Sequence, residues 1–350
     1  MRSKVVLGLS GGVDSSLAAY ILKEQGFEVT GIYLKSELSR DESAEACEAA
    51  KNCGIGFGVE DITEELKEKV CEYFVSEYCF GRTPSPCIRC NPSVKFKTLL
   101  KVADRVGAEF VATGHYANIV KTPSGELAVG TGKGRNDQSY MLCRLESSIY
   151  PRLRFPIGGF TKAQVRELAA ARGIPSAEKP DSMEICFIPD NNRIGFIENW
   201  RGGTEGLFGN FVDGNGKILS PHAGIHRYTV GQRKGLGIAL GYPAYVSDID
   251  PKSGNVTLMP SGGEYSTEIS VSDCLWHIRT DECFEADVRV RHSAEFTRGT
   301  VRKLGGMAVV TFPGGVRAAA PGQSAVFYVG GAIAGCGTIE KHGKKDEDVY

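Results

Sequence analysis

The stretch Leu9-Ser10-Gly11-Gly12-Val13-Asp14-Ser15-Ser16 decides the fold of this chain. It follows the apolar run Lys4-Val5-Val6-Leu7-Gly8 and leads into a helical pattern that starts at Leu17. A buried strand, a two-glycine turn and a helix that opens with hydroxyl residues present several unpaired backbone N–H groups to an anion, and the helix dipole adds attraction. The stretch therefore predicts a phosphate-binding loop at the start of a helix.

The type of loop follows from what it contains and lacks. It has neither the Gly-Lys-Ser/Thr of a Walker P-loop nor the spaced glycines of a dinucleotide fingerprint. It resembles the PP-loop of ATP pyrophosphatases, which holds the β/γ end of ATP while a substrate oxygen attacks the α-phosphate. The alternative is an ordinary strand-to-helix turn. The resemblance implies ATP and Mg²⁺ as cofactors, and it assigns phosphate contacts to the loop, with Asp14 as a magnesium or loop-ordering carboxylate and Ser16 as a further donor.

Composition limits the class of protein. The 350 residues exceed one typical domain and suggest two or three. Hydrophobic residues make up 41% and charged residues 24%, and the start of the chain has neither a signal-peptide apolar region nor a transmembrane run. Eleven cysteines without an export signal favour reduced thiols with catalytic or metal-binding uses over a disulfide scaffold. We expect a cytoplasmic protein without membrane attachment.

The charge distribution leaves nucleic-acid binding open. The formal net charge of −1 does not indicate a nucleic-acid binder. Basic residues nevertheless cluster in two segments, which contain Arg82, Arg89, Lys95, Lys97, Lys101 and Arg105 in the first and Arg227, Arg233 and Lys234 in the second. Charge runs are usually solvated faces, so these clusters alone do not decide the question.

Alternating strand and helix patterns predict a parallel sheet in the first half of the chain. Strand patterns lie at 27–34, 55–59 and 109–114, and helical patterns at 42–53, 63–79, 94–106 and 161–172. The nucleotide is expected at the carboxyl ends of these strands. From about residue 202 the chain is Gly-rich with short alternating runs, which predict β structure in the form of small barrels or sandwiches. We predict an α/β PP-loop catalytic domain at 1–201, a small central β domain at 202–263 and a C-terminal β-barrel at 264–350.

Three cysteines are candidates for the chemistry. Cys87 and Cys90 form a Cys-x-x-Cys pair on the proline-rich loop 83–92. Such a pair serves as a redox disulfide, a zinc or iron–sulfur ligand set, or a nucleophile with a helper, and an inert buried pair is a further alternative. No second Cys-x-x-Cys completes a zinc site. Cys186 lies beyond the last helical pattern of the first domain and is expected to fold back over the same cleft.

Motifs along the whole chain carry a closer resemblance. Besides the PP-loop, they are Arg82-Thr-Pro-Ser-Pro, Cys90-Asn, Ala112-Thr-Gly-His-Tyr, Asp137-Gln-Ser-Tyr, Asp181-Ser with Ile185-Cys-Phe-Ile, Tyr228-Thr-Val-Gly-Gln-Arg-Lys-Gly-Leu-Gly and Pro321-Gly-Gln-Ser-Ala-Val-Phe-Tyr. In this order they resemble the family of tRNA-specific 2-thiouridylases. The resemblance implies ATP-dependent replacement of the 2-oxygen of the anticodon wobble uridine by sulfur, with tRNA as partner and a sulfur-relay protein or cysteine desulfurase as persulfide donor.

The same resemblance implies roles for individual residues. Cys186 would carry the persulfide, and Cys90 would be the nucleophile or resolving thiol that forms a disulfide as sulfur is released. Both would need lowered thiol pKa values. The implied ATP-binding residues are Gly8, Leu9, Ser10, Gly11, Gly12, Val13, Asp14, Ser15, Leu34 and Gly114. The implied tRNA-binding residues are Ser85, Pro86, Cys87, His115, Asp137, Gln138, Ser139, Arg291, His292 and Gln323. Loops would hold a flipped base, because O2 is unreachable in a stacked anticodon.

One departure from the family pattern leaves the sulfur chemistry open. Cys87 stands where much of the family has aspartate. Cys87, Cys90 and Cys186 are therefore an alternative ligand set for an iron–sulfur cluster whose open iron binds hydrosulfide. Two other functions also share part of the pattern. A small-molecule PP-loop ligase would need only the loop, and an RNA-binding module without catalysis would need only the RNA contacts.

Overall fold

The computed structural model describes residues 2–179 and 185–340. Within them the chain forms two compact units. The first contains Met1–Cys71, Pro86–Asn191 and Gly330–Ile333, and the second contains Glu72–Ser85, Asn192–Val329 and Ala334–Tyr350. The longest α-helix among the described residues has 12 residues, and none is long and apolar enough to cross a membrane.

The helices and strands alternate in the first half of the chain and strands dominate the second. The helices are α1 (Val13–Glu24), α2 (Ser43–Cys53), α3 (Thr63–Leu66), α4 (Glu72–Cys79), α5 (Pro86–Cys90), α6 (Phe96–Val106), α7 (Lys162–Ala171) and α8 (Arg193–Arg201). The strands are β1 (Lys4–Gly8), β2 (Glu28–Lys35), β3 (Gly56–Asp61), β4 (Phe110–Thr113), β5 (Ala117–Lys121), β6 (Leu127–Thr131), β7 (Leu153–Arg154), β8 (Gly209–Val212), β9 (Ile218–His222), β10 (Ala244–Asp250), β11 (Asn255–Pro260), β12 (Tyr265–Trp276), β13 (Cys283–Arg289), β14 (Thr297–Leu304), β15 (Met307–Arg317), β16 (Ser324–Val329) and β17 (Ala332–Ile339).

The first unit is built on a five-stranded sheet in the order β3-β2-β1-β4-β7, in which every pairing is parallel. The central strand β1 is covered on both faces, since Val5, Val6 and Leu7 have no exposed surface. A continuous apolar run is typical of such a strand. Helix α1 packs on this core through Leu17, Ala18 and its neighbours. The predicted parallel sheet is confirmed.

Several helices differ from the sequence expectations. The single helix predicted at 63–79 is divided into α3 and α4 by a π-helical turn at Lys67–Cys71. A second π-helical turn at Asn91–Lys95 separates α5 from α6. Proline at the second position of this turn has no N–H to donate, which fits the break in regular α-helical bonding. Helix α8 was missed, because its mixture of Gly, Asn and aromatic residues has weak helical periodicity.

The second unit holds two β structures. One is a four-stranded sheet in the order β10-β11-β8-β9, whose core includes Phe211, Val246 and Val256. The other contains six antiparallel strands in the order β12-β15-β14-β13-β16-β17, and pairing of β12 with β17 closes it into a barrel. Alternating inward residues such as Val288, Val310 and Phe327 fill its core. The predicted fold class, an α/β domain followed by β domains that end in a barrel, is confirmed.

The start of α7 offers a test of local stability. The Thr161 side chain accepts a hydrogen bond from Gln164 N at 3.3 Å, and the Gln164 side chain accepts one from Thr161 N at 3.0 Å. This capping box satisfies two backbone donors. We expect Thr161→Ala to lower the free energy of unfolding by about 1 kcal/mol in urea titrations. Thr161→Ser keeps the accepting oxygen and should remain close to wild type; equal losses in both variants would contradict the capping argument.

Candidate active site

The phosphate-binding loop leaves the end of β1 and turns into α1. Gly11 has a φ of +81°, and a Cβ at this position would lie 2.9 Å from Ala46 N, so both conformation and space require glycine. Gly12 is the N-cap of α1, and among the described residues no side chain caps this helix. The first N–H groups of α1 are therefore available to an anion.

Hydroxyl groups brace the loop from inside. Ser15 Oγ donates to the Gly12 carbonyl at 3.2 Å, and it accepts a hydrogen bond from Ser10 N at 3.2 Å. Ser16 Oγ is buried and has no hydrogen-bond partner among the described residues. The predicted loop serines thus have two roles. Ser10 and Ser15 stabilise the turn by hydrogen bonds, whereas the hydroxyl of Ser16 makes no hydrogen bond to the described residues.

Asp14 is held by side chains from distant parts of the chain. Lys162 Nζ donates to the two carboxylate oxygens of Asp14 at 2.9 and 2.8 Å, and Tyr116 Oη donates to Oδ1 at 2.6 Å. Of the two roles expected for Asp14, this geometry favours ordering of the loop. Sequence reasoning missed both partners. Tyr116 ends the motif that begins at Ala112, whereas nothing in the sequence around Lys162 distinguishes it from an ordinary helix-terminal lysine.

The other predicted ATP-binding residues lie at the same edge of the sheet. Gly8 ends β1, Leu34 lies near the end of β2, and Gly114 follows β4 directly. A Cβ at Gly114 would lie 2.9 Å from both Asp14 C and Ser15 N, so this backbone runs directly against the loop. The carboxyl ends of neighbouring parallel strands therefore meet at the loop, where such folds bind ligands.

Cys87 and Cys90 lie on α5, and Cys186 lies in the same unit. Desolvation raises the pKa of Cys90 to about 12 and also raises the pKa of Cys87 and Cys186. Cys87 and Cys186 are nevertheless exposed as residues, whereas Cys90 is half-buried. Charge repulsion from Cys186 and Cys87 also raises the pKa of Cys90, and repulsion from Cys87 raises the pKa of Cys186, so the three thiols are near neighbours. The lowered pKa values expected for Cys90 and Cys186 are not found.

Lys95 supplies the positive charge at this cluster. It ends the π-helical turn that follows α5, and its charge lowers the pKa of Cys87, Cys90 and Cys186 against the effect of desolvation. Sequence analysis had placed it only within a basic run. The π-helical turn is the structural feature that sets it apart, because such turns are frequent at functional sites.

His115 is close to the same charge. Its ring packs between Phe96 and Phe155, and its Nδ1 shares a 2.7 Å hydrogen bond with Thr113 Oγ1. Burial, and then the charge of Lys95, hold the pKa of His115 well below its usual value. The imidazole is therefore neutral at physiological pH.

Several predicted RNA-binding residues make contacts within the protein. Asp137 is buried, and its carboxylate accepts hydrogen bonds from Gly132 N and from the Ser139 hydroxyl. Gln138 Oε1 accepts a hydrogen bond from Tyr116 N at 3.0 Å. These bonds order the loop at 132–139 and join it to the backbone of Tyr116, a partner of the PP-loop. An RNA contact by these three residues stays a prediction.

The remaining predicted RNA-binding residues are spread over both units. Ser85 and Pro86 precede and begin α5, and Pro86 is buried. Arg291 and His292 follow β13, where His292 is exposed. Gln323 donates from Nε2 to the carbonyl of Thr83 at 2.7 Å. Asp181 and Ser182 of the quoted motif lie outside the described residues.

A metal centre finds no support in the geometry. Over residues 2–179 and 185–340, no group of three His, Cys, Asp or Glu side chains is arranged to hold a metal ion. This finding concerns single metal ions, and an iron–sulfur cluster on Cys87, Cys90 and Cys186 stays a prediction.

Comparisons with known proteins agree along the chain. Family models described as the tRNA methyl transferase HUP domain, the tRNA methyl transferase PRC-barrel domain and the aminomethyltransferase β-barrel domain match residues 3–190, 195–260 and 266–339. The tRNA-specific 2-thiouridylase MnmA of Lachnoclostridium phytofermentans is 42% identical over 97% of this chain and 99% of that protein. Those of Carboxydothermus hydrogenoformans and Geobacter metallireducens are 42% and 40% identical, over 97% of this chain and 98% and 97% of theirs.

The fold and the site define a nucleotide-binding protein of the PP-loop class with a cysteine cluster in the same unit. The family models and the full-length relatives make the assignment narrower. The chain belongs to the tRNA-specific 2-thiouridylase family. The resemblance seen in the sequence and the predicted enzyme class, a tRNA sulfurtransferase, are confirmed.

A double-mutant cycle can measure the coupling between Asp14 and Lys162. Because both side chains are mostly buried, Lys162→Met leaves the Asp14 carboxylate without its cationic partner. We expect a loss of about 1–3 kcal/mol in the free energy of unfolding of the first unit, and a smaller loss when Asp14→Asn is already present. Lys133→Met, at an exposed site of the same unit, is the control. Additive effects in the double variant would show that the pair is not coupled.

The pH dependence of Cys90 alkylation tests the effect of Lys95 on the Cys90 pKa. Thiolate is the reacting form of cysteine, and Lys95→Met should raise the Cys90 pKa further, so that less thiolate is present at any pH below it. We expect slower alkylation of Cys90 by iodoacetamide between about pH 8 and about pH 10, measured by peptide mass spectrometry. Lys95→Arg should restore the rate and Lys97→Met should not affect it. An unchanged pH profile in Lys95→Met would exclude this role.

Proposed function

We propose that this protein uses ATP to replace the 2-oxygen of the wobble uridine of tRNA with sulfur. The observation that carries the proposal is the presence, in one unit, of an uncapped PP-loop helix and of a thiol cluster with its own cation. Membership of the 2-thiouridylase family supports the same reaction. A small-molecule ligase would need the first of these features but not the second.

The first step is activation of the uridine. O2 of the base attacks the α-phosphate of ATP, an adenylated base forms, and pyrophosphate leaves. The N–H groups at the start of α1 would bind the β/γ end, while Leu34 and Gly114 would line the adenine or ribose. Mg²⁺ is usually held largely by the phosphates with few protein ligands, which fits an Asp14 carboxylate already occupied by Lys162 and Tyr116. When bound, it would neutralise phosphate charge.

The second step is sulfur transfer. The terminal sulfur of a Cys186 persulfide attacks C2 of the adenylated base, and AMP leaves with the former O2. The Cys90 thiolate then attacks Sγ of Cys186, the bond to the transferred sulfur breaks, and a disulfide between Cys90 and Cys186 remains for an external thiol to reduce. Support comes from the charge repulsion by which Cys186 raises the pKa of Cys90, which places the two thiols near each other, and from Lys95, which lowers the pKa of both and so favours the thiolate.

The remaining assignments belong to the same proposal. The target base would be flipped and held near Ser85, Pro86, Cys87 and His115. A neutral His115 can donate or accept one hydrogen bond there. Contacts by Asp137–Ser139 would place the RNA on the proposed domain at 1–201, and contacts by Arg291, His292 and Gln323 would place it on the proposed domain at 264–350. The proposed domain at 202–263 contains none of these residues. A cytoplasmic location and a sulfur-relay protein or cysteine desulfurase as donor complete the proposal.

Nucleoside mass spectrometry tests the reaction directly. We expect 2-thiouridine when unthiolated tRNA is incubated anaerobically with the protein, ATP and a persulfide donor, and we expect the yield to survive an iron chelator. Cys90→Ser and Cys186→Ser should abolish the product, whereas Cys283→Ser, at an exposed cysteine of the barrel, should keep it. Product that disappears with the chelator would replace the persulfide route with an iron-dependent one. Pyrophosphate release that tRNA does not stimulate would favour a small-molecule ligase.

A further inference from the structure

We propose that Asn91 is a positioning residue for sulfur transfer, which holds Cys90 in place by a hydrogen bond to the backbone of the segment 137–142. Asn91 follows Cys90 directly and begins the π-helical turn Asn91–Lys95. The cysteine, the asparagine and the segment all belong to the first unit. This inference rests on the proposed function in one respect, namely that Cys90 reacts.

The side chain of Asn91 is buried and its amide group is used. Only 2% of the residue surface is exposed. Its Nδ2 donates to the Met141 carbonyl at 2.8 Å. A buried donor that loses its acceptor costs free energy, so this hydrogen bond favours one orientation of the side chain. Because consecutive Cα atoms lie about 3.8 Å apart, an Asn91 fixed in this way restricts where Cys90 lies.

The backbone of Asn91 is held as well. Its carbonyl accepts a hydrogen bond from Phe96 N, across the π-helical turn. Phe96 is itself buried, so the far end of this bond is anchored in the core. The same turn carries Lys95, whose charge lowers the pKa of Cys90. Asn91 therefore lies between the thiol and its cation and restricts the backbone that joins them.

The segment 137–142 is ordered by its own hydrogen bonds. The Asp137 carboxylate accepts bonds from Ser139 N at 3.1 Å and from Ser139 Oγ at 2.9 Å. Met141 N donates to the Gln138 carbonyl at 3.0 Å. Ser139 has no exposed surface. The acceptor of the Asn91 amide is thus part of a buried turn and gives the amide a fixed partner.

The other end of this segment bonds to a partner of the PP-loop. Gln138 N donates to the Tyr116 carbonyl at 2.8 Å, and Gln138 Oε1 accepts a bond from Tyr116 N at 3.0 Å. Tyr116 Oη in turn donates to Asp14 at 2.6 Å. One segment therefore connects the turn after Cys90, through Met141, to the loop that would bind ATP. Transfer of sulfur to a base activated at that loop requires the two places to keep a fixed separation.

Two substitutions at Asn91 and two controls separate positioning from general stability. Asn91→Leu removes the amide at nearly constant size, and Asn91→Ser is a smaller polar variant whose hydroxyl is too short to replace it. Asn118→Leu is the matched control, because Asn118 Nδ2 on β5 donates to the Thr131 carbonyl at 2.8 Å in the same unit. Ser93→Ala removes a 2.6 Å bond from Ser93 Oγ to the Arg89 carbonyl, which lies within the cysteine helix and its π-helical turn.

The measurements follow the thiol and the two steps of the reaction in the full-length protein. Iodoacetamide alkylation of Cys90 is measured by peptide mass spectrometry, and alkylation of buried Cys53 in the same unit reports general loosening. Single-turnover experiments with tRNA, ATP and a persulfide donor measure pyrophosphate release and 2-thiouridine formation separately. The KM for ATP is measured in the steady state.

The positioning role predicts a specific pattern. In both Asn91 variants, Cys90 alkylation should rise severalfold while Cys53 alkylation stays unchanged, because a half-buried thiol gains access when its helix end is released. Formation of 2-thiouridine should slow about tenfold or more, since misplacement of a reacting group lowers the rate of its step. Pyrophosphate release and the KM for ATP should stay close to wild type, because activation of the base does not use Cys90. Ser93→Ala and Asn118→Leu should match the wild type in Cys90 alkylation and in 2-thiouridine formation.

Three outcomes would overturn the proposal. They are unchanged Cys90 alkylation in both Asn91 variants, an equal effect in Asn118→Leu, and a loss of pyrophosphate release in parallel with 2-thiouridine. The alkylation measurement needs no tRNA product. Absence of 2-thiouridine in the wild type would therefore count against the proposed reaction, while alkylation would still decide whether Asn91 holds Cys90.

Discussion

The ion pair between Asp14 and Lys162 holds the phosphate-binding loop in a shape that α1 alone does not impose. A helix that binds an anion with its first N–H groups has to leave those groups uncapped, so it gives up the stabilisation that an N-cap side chain usually provides. Lys162 and Tyr116 fix the Asp14 carboxylate instead, from positions far along the chain. Gly114 also contributes, because the lack of a Cβ allows the backbone after β4 to pack directly against the loop. The shape of the loop therefore depends on tertiary contacts, although the residues that form it are consecutive in the sequence.

Two opposite effects, desolvation and the charge of Lys95, act on the pKa values of the thiol cluster. Dry surroundings favour the neutral form of Cys90, and the Lys95 ammonium favours its thiolate. Neutral thiols are poor nucleophiles and poor metal ligands, so a raised pKa protects the cysteines from unwanted oxidation while no substrate is bound. The single turn of π-helix after α5 matters here, because it sets where the lysine lies relative to the cysteines that precede it. The Lys95 charge thus opposes, at all three thiols, the larger effect of desolvation.

Local sequence signals were enough to predict the parallel sheet, the PP-loop, helix α7 and the β structure of the second half, since each follows from periodicity or from a turn within a few residues. Contacts between residues far apart in the chain could not be predicted in this way. Nothing near Lys162 indicates Asp14, and nothing near Arg82 indicates Glu340. The break at Lys67–Cys71 was missed for another reason: its residues are compatible with α-helix, and only packing selects the π-helical turn. Motif matches also name residues without saying whether they face a ligand or, like Asp137, their own loop.

Gln323 illustrates how one side chain can connect two functions. Its Nε2 donates a hydrogen bond to the Thr83 carbonyl at 2.7 Å, so a contact with RNA through the same donor would compete with this hydrogen bond. A contact with RNA through the other atoms of Gln323 would leave this hydrogen bond in place and hold the side chain in position. In the first case binding of RNA would loosen the segment that contains Thr83, and in the second it would stabilise that segment. Either outcome would be felt within the second unit, which contains both Thr83 and Gln323, because loss of a hydrogen bond to a backbone carbonyl costs free energy unless another donor replaces it.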